Sequence, residues 1–523
     1  MPTIICRGLT FAHDGSDSNL FDDLDLTIDT GWRTCLVGRN GRGKTTLLRL
    51  LHGALQPDRG TIERDLSTVY FPAAVPDGAL SGYQVARRAA GVYAEWELEM
   101  QQLLRAGDPA SLERYGELEE RYAQAGGYEI DARLARELDA LALDERAWQR
   151  PYAELSGGEQ TRCLLAGLFV QPGRYALVDE PTNHLDREGR ARVARYLATK
   201  SGFLIVSHDR AFLDDCVDHV LALNPDSVSV QRSAFSAWRE GYLQQLESQR
   251  ARNALLRRQI TGLEANARFR RAGAMRREAE KSGAQDKGFV GARAARQMKR
   301  ALASEQRALR TAEARRATLV DVEKSYPLRL SDRTTGARTE LVRVSNVVVH
   351  RDRPLFDPLS FEVVRGDRIA LVGANGSGKT SLLDLVCGLP VAHDGTLRRA
   401  SGLSLSRSCQ QPRWLSGPLR SRLAGAGLDE VRFRQVMAAL GVRGDVLDQP
   451  LETLSEGQRR KIELARSILE PADLRVWDEP LNFLDIDARE AIEEAMLRDQ
   501  PTLLFCEHDA RFLARTATRV IEI

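Results

Sequence analysis

Two copies of one short pattern limit what this chain can fold into. Gly38-Arg39-Asn40-Gly41-Arg42-Gly43-Lys44-Thr45, continued by Thr46, and Gly373-Ala374-Asn375-Gly376-Ser377-Gly378-Lys379-Thr380, continued by Ser381, both fit G-x-x-x-x-G-K-[ST]. Each copy follows an apolar run, Thr34-Cys35-Leu36-Val37 or Ile369-Ala370-Leu371-Val372. Each opens a stretch with helical apolar spacing, at Leu47, Leu48, Leu50 and Leu51 or at Leu382, Leu383 and Leu385. In that strand, loop and helix context the glycines let backbone N–H groups wrap a phosphate chain and the helix N-terminus adds positive potential. The lysine meets the terminal phosphates, and the threonine hydroxyl is placed for magnesium. The pattern therefore predicts an α/β fold built twice around a nucleotide.

At 523 residues the chain is too long for one ordinary core, and the duplication argues for two large domains with a connector. We expect domains at 1–231 and 326–523, with a helical linker at 232–325. No run of about 18 apolar residues occurs, and Met1-Pro2-Thr3 does not begin a signal sequence, so a cytoplasmic chain is expected. The 7 cysteines form no C-x-x-C pair and read as small core residues rather than a disulfide or zinc framework. The net charge of +2 is unevenly divided: residues 232–316 hold 21 Lys+Arg against 8 Asp+Glu, a balance of +13 that leaves −11 elsewhere.

In the first half, residues 4–11 and 24–28 alternate apolar with polar and predict an antiparallel edge. Phe11 or His13 could stack on a base, although Phe11 reads equally well as core. Helical spacing runs from Val85 to Leu143. Between Ala90 and Gly127 it breaks at Gly107-Asp108-Pro109, predicting a two-helix arm near residues 85–127. Leu155-Ser156-Gly157-Gly158-Glu159-Gln160 follows, and then an apolar strand that ends in Asp179-Glu180. Two acids at a strand tip put Asp179 beside magnesium and Glu180 where it can polarise an attacking water. A second apolar strand, Phe203-Leu204-Ile205-Val206, ends in Ser207-His208-Asp209, with His208 in reach of a terminal phosphate.

The second half repeats this order with Leu454-Ser455-Glu456-Gly457-Gln458, Val476-Trp477-Asp478-Glu479 and Cys506-Glu507-His508-Asp509. Ser156 to Glu180 and Ser455 to Glu479 are both 24 positions, and glutamate to histidine is 28 and 29. From phosphate-loop lysine to signature serine the counts are 112 and 76, so the first half carries 36 extra residues, about the size of the arm.

The ordered set resembles the ATPase domain of ABC proteins, and the resemblance covers both halves. It implies two domains with mixed sheets and antiparallel edges, packed head to tail so that ATP and Mg2+ lie between the loop of one and the signature of the other. One site would join Lys44, Asp179, Glu180 and His208 to Ser455, Glu456 and Gly457. The other would join Lys379, Gln410, Asp478, Glu479 and His508 to Ser156, Gly157 and Gly158. Both phosphate loops then bind nucleotide; Thr45, Asp179, Thr380, Asp478 and Gln410 hold the metal; Glu180, Glu479, His208 and His508 are catalytic. Three residues depart from the pattern. Ala73 stands where a glutamine sensing magnesium is usual, Glu456 replaces a signature glycine, and Arg475 lies within a strand expected to be buried.

Residues 241–318 contain no proline, and Leu256, Ile260, Leu263 and Ala267, like Met298, Leu302, Glu305, Leu309 and Ala312, step by three and four. Two antiparallel helices, each on the order of 40–60 Å, are predicted, with a loop tip near 281–291. Their positive charge suits a polyanion; a solvated charged hairpin is the bland reading. Tandem domains, arm and basic linker resemble the F subfamily of ABC ATPases, which implies ribosome binding at the tRNA exit site with rRNA and tRNA contacts through the linker. The second-half motifs and Gly288-Phe289-Val290 look like the branch that protects ribosomes from antibiotics acting at the peptidyl-transferase centre. Phe289 and Val290 would then point toward the drug region, or else pack across the helix turn. A general translation factor and the ATPase subunit of a membrane exporter are the alternatives. A monomer closing on itself, with no DNA partner, is expected.

Overall fold

The computed structural model describes residues 2–15, 18–75, 77–171, 173–183, 185–224, 227–279, 287–319, 327–330, 340–351, 353–409, 411–442 and 444–523. They form two compact units: Met1–Ser236 with Tyr326–Ile523, and Ala237–Ser325.

The first half of the larger unit contributes β1 (Thr3–Phe11), β2 (Phe21–Asp29), β3 (Arg33–Val37), β4 (Arg59–Arg64), β5 (Ser67–Phe71), β6 (Arg174–Asp179), β7 (Phe203–Val206), β8 (His219–Leu223) and β9 (Val228–Arg232). The second contributes β10 (Glu340–Val349), β11 (Leu359–Val364), β12 (Arg368–Val372), β13 (His393–Arg399), β14 (Leu405–Ser408), β15 (Leu474–Asp478), β16 (Leu503–Cys506) and β17 (Arg519–Glu522). In each half an antiparallel sheet, β2-β1-β4 or β11-β10-β13, stands beside a parallel one, β5-β6-β7-β3-β8-β9 or β14-β15-β16-β12-β17, with β9 alone running antiparallel. This is the predicted pair of α/β ATPase domains with antiparallel edges.

Strand order explains how distant motifs meet. Central parallel strands are covered on both faces, so they are apolar throughout; every residue of Phe203–Val206 and Leu503–Cys506 is buried. Because β6, β7 and β3 are neighbours, the acid tip, the histidine loop and the phosphate loop emerge together at the carboxyl edge, where open α/β sheets bind ligands. The helix Lys44–His52 is fixed there by Leu47, Leu48, Leu50 and Leu51, all 0% exposed. Each contributes up to about 1.5–3 kcal/mol by burial.

The extra residues of the first half form two helices, Tyr93–Ala106 and Pro109–Gln124. Gly107 ends the first at φ 66°, Asp108 accepts from Ser111 N to start the second, and Pro109 occupies the first turn, where a missing N–H costs nothing. Nearby, the signature helix Gly157–Phe169 crosses helix Gly82–Ala90 so closely that a Cβ on Gly167 would stand 2.1 Å from the Ala86 carbonyl oxygen. Arg475 is fully buried because its strand passes the end of helix Glu456–Leu469. Its Nε donates to Ser467 O at 3.2 Å and its Nη2 to Glu470 O at 3.2 Å, satisfying carbonyls that a helix end leaves open.

The smaller unit is built from helices Phe235–Ala279 and Lys287–Ala317, of 45 and 31 residues, about 68 and 46 Å long. They run antiparallel, since Arg270 donates to Ser304 Oγ at 2.7 Å, Arg271 pairs with Glu305 at 3.1 Å, and Arg316 pairs with Glu264. Ile260, Ala267 and Ala312 are buried, and Leu256 and Leu263 partly so. Leu302 and Leu309, expected in the seam, are 43% and 42% exposed. The second helix meets the first along the Met298, Glu305, Ala312 row, and both leucines flank it. Part of the predicted tip, 281–291, is helix. Lys287-Gly288-Phe289-Val290-Gly291 are helical, because each glycine costs a helix only about 1 kcal/mol and the alanine-rich run that follows offsets it. Residues 280–286, and the side chains of Phe289 and Val290, lie outside the described residues.

Candidate active sites

Each phosphate loop holds its lysine in readiness. Lys44 Nζ donates to Gly38 O at 2.7 Å and Arg39 O at 3.3 Å; Lys379 Nζ donates to Gly373 O at 2.9 Å and Ala374 O at 2.8 Å. Gly43 and Gly378 adopt φ 86° and 100°, a left-handed turn that aims the first helical N–H groups into the loop. Thr45 Oγ1 donates to Asp179 Oδ2 at 2.7 Å and Thr380 Oγ1 to Asp478 Oδ2 at 2.9 Å, so each predicted metal pair is assembled.

The two glutamates share an unusual backbone. Glu180 and Glu479 sit at φ 48° and 49°, costly for a side chain with a Cβ and common at sites where geometry is over-determined. Their N–H groups are held by Val206 O at 2.9 Å and Cys506 O at 3.1 Å, which ties each to the strand bearing the histidine. His208 Nε2 lies 3.2 Å from Glu180 Oε1 and His508 Nε2 lies 3.9 Å from Glu479 Oε1. Burial, then the charge of Asp179, pushes Glu180 up to about 8; burial, then Lys44, holds His208 well below the imidazole range. In the second half burial, then Glu479, raises Asp478 to about 6, and burial with Lys379 lowers His508 to about 4. A raised carboxyl beside a neutral imidazole is suited to accepting a proton from water.

The cavities are composite. One of about 900 Å³ is lined by His13, Asn40, Gly41, Arg42, Gly43 and Thr46 and, from the other half, by Gly441, Val442, Gln458 and Lys461. One of about 340 Å³ is lined by Asn375, Gly376, Gly378, Lys379, Thr380, Ser381, Glu479 and His508 together with Gly157, Asn183, Leu185 and Arg190 of the first half. Across the first, Asn40 N donates to Asp485 Oδ2 at 2.9 Å and Arg39 Nε pairs with Asp487 at 3.0 Å. Ser156 and Ser455 cap the signature helices in reciprocal boxes with Glu159 and Gln458.

Not every predicted residue lines its cavity. Gln458 and Lys461 do so in place of Ser455, Glu456 and Gly457, and in the second cavity Gly157 does so without Ser156 or Gly158. Glu456 is exposed and paired with Arg460 at 2.7 Å, which keeps its carboxylate from opposing a polyphosphate. Phe11 is core, and His13, with Nε2 3.3 Å from Thr46 Oγ1, lines the cavity together with Phe21. Gln410 lies outside the described residues. Tyr70, which the sequence did not single out, donates its hydroxyl to Asp179 Oδ2 at 3.1 Å. Phosphates and a divalent cation fit what these residues leave open: Glu180 Oε1, Ser377 Oγ, Asp478 Oδ1 and His508 Nε2 are buried without hydrogen-bond partners among the described residues.

The family model described as ABC transporter matches residues 21–183 and 356–482. The ATP-binding protein YdiF of Bacillus subtilis is 30% identical over 530 residues, covering 97% of this chain and 78% of that one. The energy-dependent translational throttle protein EttA of Mycobacterium tuberculosis is 28% identical over 538 residues, covering 97% and 88%. The ATP-binding protein Uup of Caulobacter vibrioides is 32% identical over 531 residues, covering 96% and 74%. Among solved structures, RNase-L Inhibitor shares the fold with a TM-score of 0.56 and 18% identity, covering 94% of this chain and 83% of that one. No helix among the described residues is long and apolar enough to cross a membrane.

Proposed function

This chain belongs to the ABC transporter family and hydrolyses ATP, and from that premise we propose that it spends its ATP cycle on the ribosome rather than on a membrane transporter. The observation that carries the reading is the long helical unit between its halves, whose exposed faces bear Arg250, Arg252, Arg257, Arg258, Arg268 and Arg270. Joining two domains does not need helices of that length, whereas rows of arginine release counterions from RNA phosphates. The likeness to a protein named translational throttle supports it.

In this reading Lys44 and Lys379 hold the terminal phosphates. Thr45 with Asp179, and Thr380 with Asp478 and Gln410, hold Mg2+, which neutralises developing charge when bound. Glu180 and Glu479 orient the attacking water, and His208 and His508 hold the far side of the phosphate. Closure draws the signature helices onto the opposite loops, and the linker carries that movement to the tRNA exit site of a cytoplasmic ribosome. There the first turn of the second linker helix, with Phe289 and Val290, displaces, or shifts RNA against, antibiotics bound at the peptidyl-transferase centre.

Glu180→Gln with Glu479→Gln should keep ATP binding and nearly abolish turnover, because the phosphate ligands remain while water loses its base. That variant should sediment with ribosomes in ATP and be released by salt. Cofractionation with membrane subunits instead would overturn the ribosome reading. Expression in a susceptible host should reduce sensitivity to some drugs of the peptidyl-transferase region, and deleting residues 284–290 should abolish protection while sparing the ATPase. Protection by the deletion, or none from the intact chain, leaves a general translation factor.

A further inference from the structure

Helix Glu456–Leu469 carries two cations, Arg459 and Lys461, whose side chains pair with no described residue, and of these only Lys461 is buried and lines a cavity. Arg460 pairs with Glu456, and Arg466 is held between Glu463 and Glu470. Lys461 is only 6% exposed, yet it forms no hydrogen bond or ion pair with any described residue. Its side chain lines the first cavity beside Gln458, across from Asn40, Gly43 and Thr46 of the other half. The charge of Lys44, which does not itself line the cavity, disfavours that of Lys461, and Asp485, which accepts from Asn40 N, favours it. Two ammonium groups converging from opposite halves both draw on Asp485, and burial makes that arrangement costly. An anion between them would relieve it.

The first half does not mirror it. Six residues after its signature serine stands Arg162, as Lys461 stands six after Ser455, but Arg162 turns into its own half. Its Nη1 donates to Leu141 O and Ala142 O at 3.0 Å each and its Nε to Gly158 O at 3.3 Å. The cation the first half sends to the second cavity is Arg190, which pairs with Asp209 at 2.8 Å, so no unpaired cation meets it there from the signature helix.

We propose that Lys461 is a catalytic residue supplied in trans, its ammonium meeting the terminal phosphate of the nucleotide that Lys44 holds, so that a lysine from each half reads the γ-phosphate in the first site only. This rests on the cavities being ATP sites. It adds that the second half detects triphosphate over diphosphate there by charge, and that the two sites discriminate differently.

The test uses the full chain with one site disabled, Lys379→Ala leaving the first and Lys44→Ala the second, and titrates each with fluorescent ATP and ADP. Lys461→Gln should weaken ATP at the first site about tenfold or more, the loss expected for one charge-assisted contact, and shift ADP far less. It should change neither nucleotide at the second site. Lys461→Arg should recover most of the loss. The nucleotide-free melting temperature of Lys461→Gln should not fall, since an unpaired buried charge is removed, while its ATP-induced rise should shrink. Equal losses for ATP and ADP, losses at both sites, or a lower nucleotide-free melting temperature would overturn the proposal. If the parent variants themselves bind neither nucleotide, the ATP-site reading is what fails.

Discussion

Arg210 follows His208-Asp209 directly, and its guanidinium is fully buried against the other half. It meets Glu493, with Nη1 3.4 Å from Oε2, and reaches Glu490 at 3.5 Å; Glu493 is itself 0% exposed and also pairs with Arg515 at 2.7 Å. Removing one member of a buried pair strands the other and costs roughly 3–5 kcal/mol. Glu493→Met leaves Arg210 with the looser Glu490, so we expect about 3 kcal/mol. Arg210→Met leaves Glu493 with Arg515, so about 2–3 kcal/mol is expected. Replacing both with methionine should cost under about 1–2 kcal/mol, because apolar side chains of similar volume replace a desolvated pair at little loss. The coupling across the halves is then on the order of 4 kcal/mol. The assay is a donor and acceptor dye on each half of the nucleotide-free chain, titrated with urea, reading separation of the halves rather than melting of either. A loss of 3 kcal/mol raises the separated population roughly 150-fold. Single losses that add to the double within about 0.5 kcal/mol would refute the argument.

Three further outcomes follow from buried groups. Burial raises the Glu507 carboxyl to about 7, and it accepts from Leu481 N at 2.8 Å and His508 N at 3.0 Å. Its contribution is thus full below its unfolded value near 4.5 and lost as pH rises through about 7. The stability difference between the unaltered chain and Glu507→Gln, measured by denaturant midpoint, should fall by about 3 kcal/mol from pH 4.5 to pH 8, and a flat difference would contradict it. Arg475→Leu leaves the Glu470 carbonyl open and the Ser467 carbonyl with only the Ser406 hydroxyl at 3.5 Å, and should destabilise the second half by about 2–3 kcal/mol in calorimetry, while turnover per folded molecule is retained. Gly167→Ala should force helix Gly157–Phe169 off helix Gly82–Ala90 and lower the first-half melting transition, whereas Gly241→Ala, where nothing lies within 4 Å of a Cβ, should not.

What the sequence revealed is the chemistry that needs fixed spacing. A phosphate loop, an acid-tipped strand and a histidine strand must each be contiguous, so Lys44, Asp179 and His208 could be named before any fold was known. The arm was legible because Gly107-Asp108-Pro109 carries a stop, a cap and a start in three residues. Arg475 was not legible, since a charge in a strand makes sense only once the helix end beside it is seen. Glu456 departed from the signature pattern without a visible reason until its pairing with Arg460 one turn on placed it at the surface. Lys461 was hidden by a similar gap: periodicity assigns it to a buried face, but whether that face meets its own core or another half is decided by tertiary packing. The exposed Leu302 and Leu309 mark the limit of heptad reading in a seam narrowed by Ala267 and Ala312.

The charged contacts between halves favour one site. Arg39 with Asp487 fastens the phosphate loop of Lys44 to the second half, and Arg210 with Glu493 fastens the helix that follows its histidine. At the matching positions around Lys379 stand Ala374, Glu188, Ala510 and Ala194, so each pair loses at least one charged member, and Glu188 pairs with Arg192 of its own helix. Buried atoms without partners occur at both sites, Glu180 Oε1 and His208 Nδ1 at the first and Ser377 Oγ, Asp478 Oδ1 and His508 Nε2 at the second, so both stand to gain from ligand, while the second has fewer ion pairs among the described residues holding it closed without one. Duplicate catalytic residues on an unevenly fastened frame need not act alike.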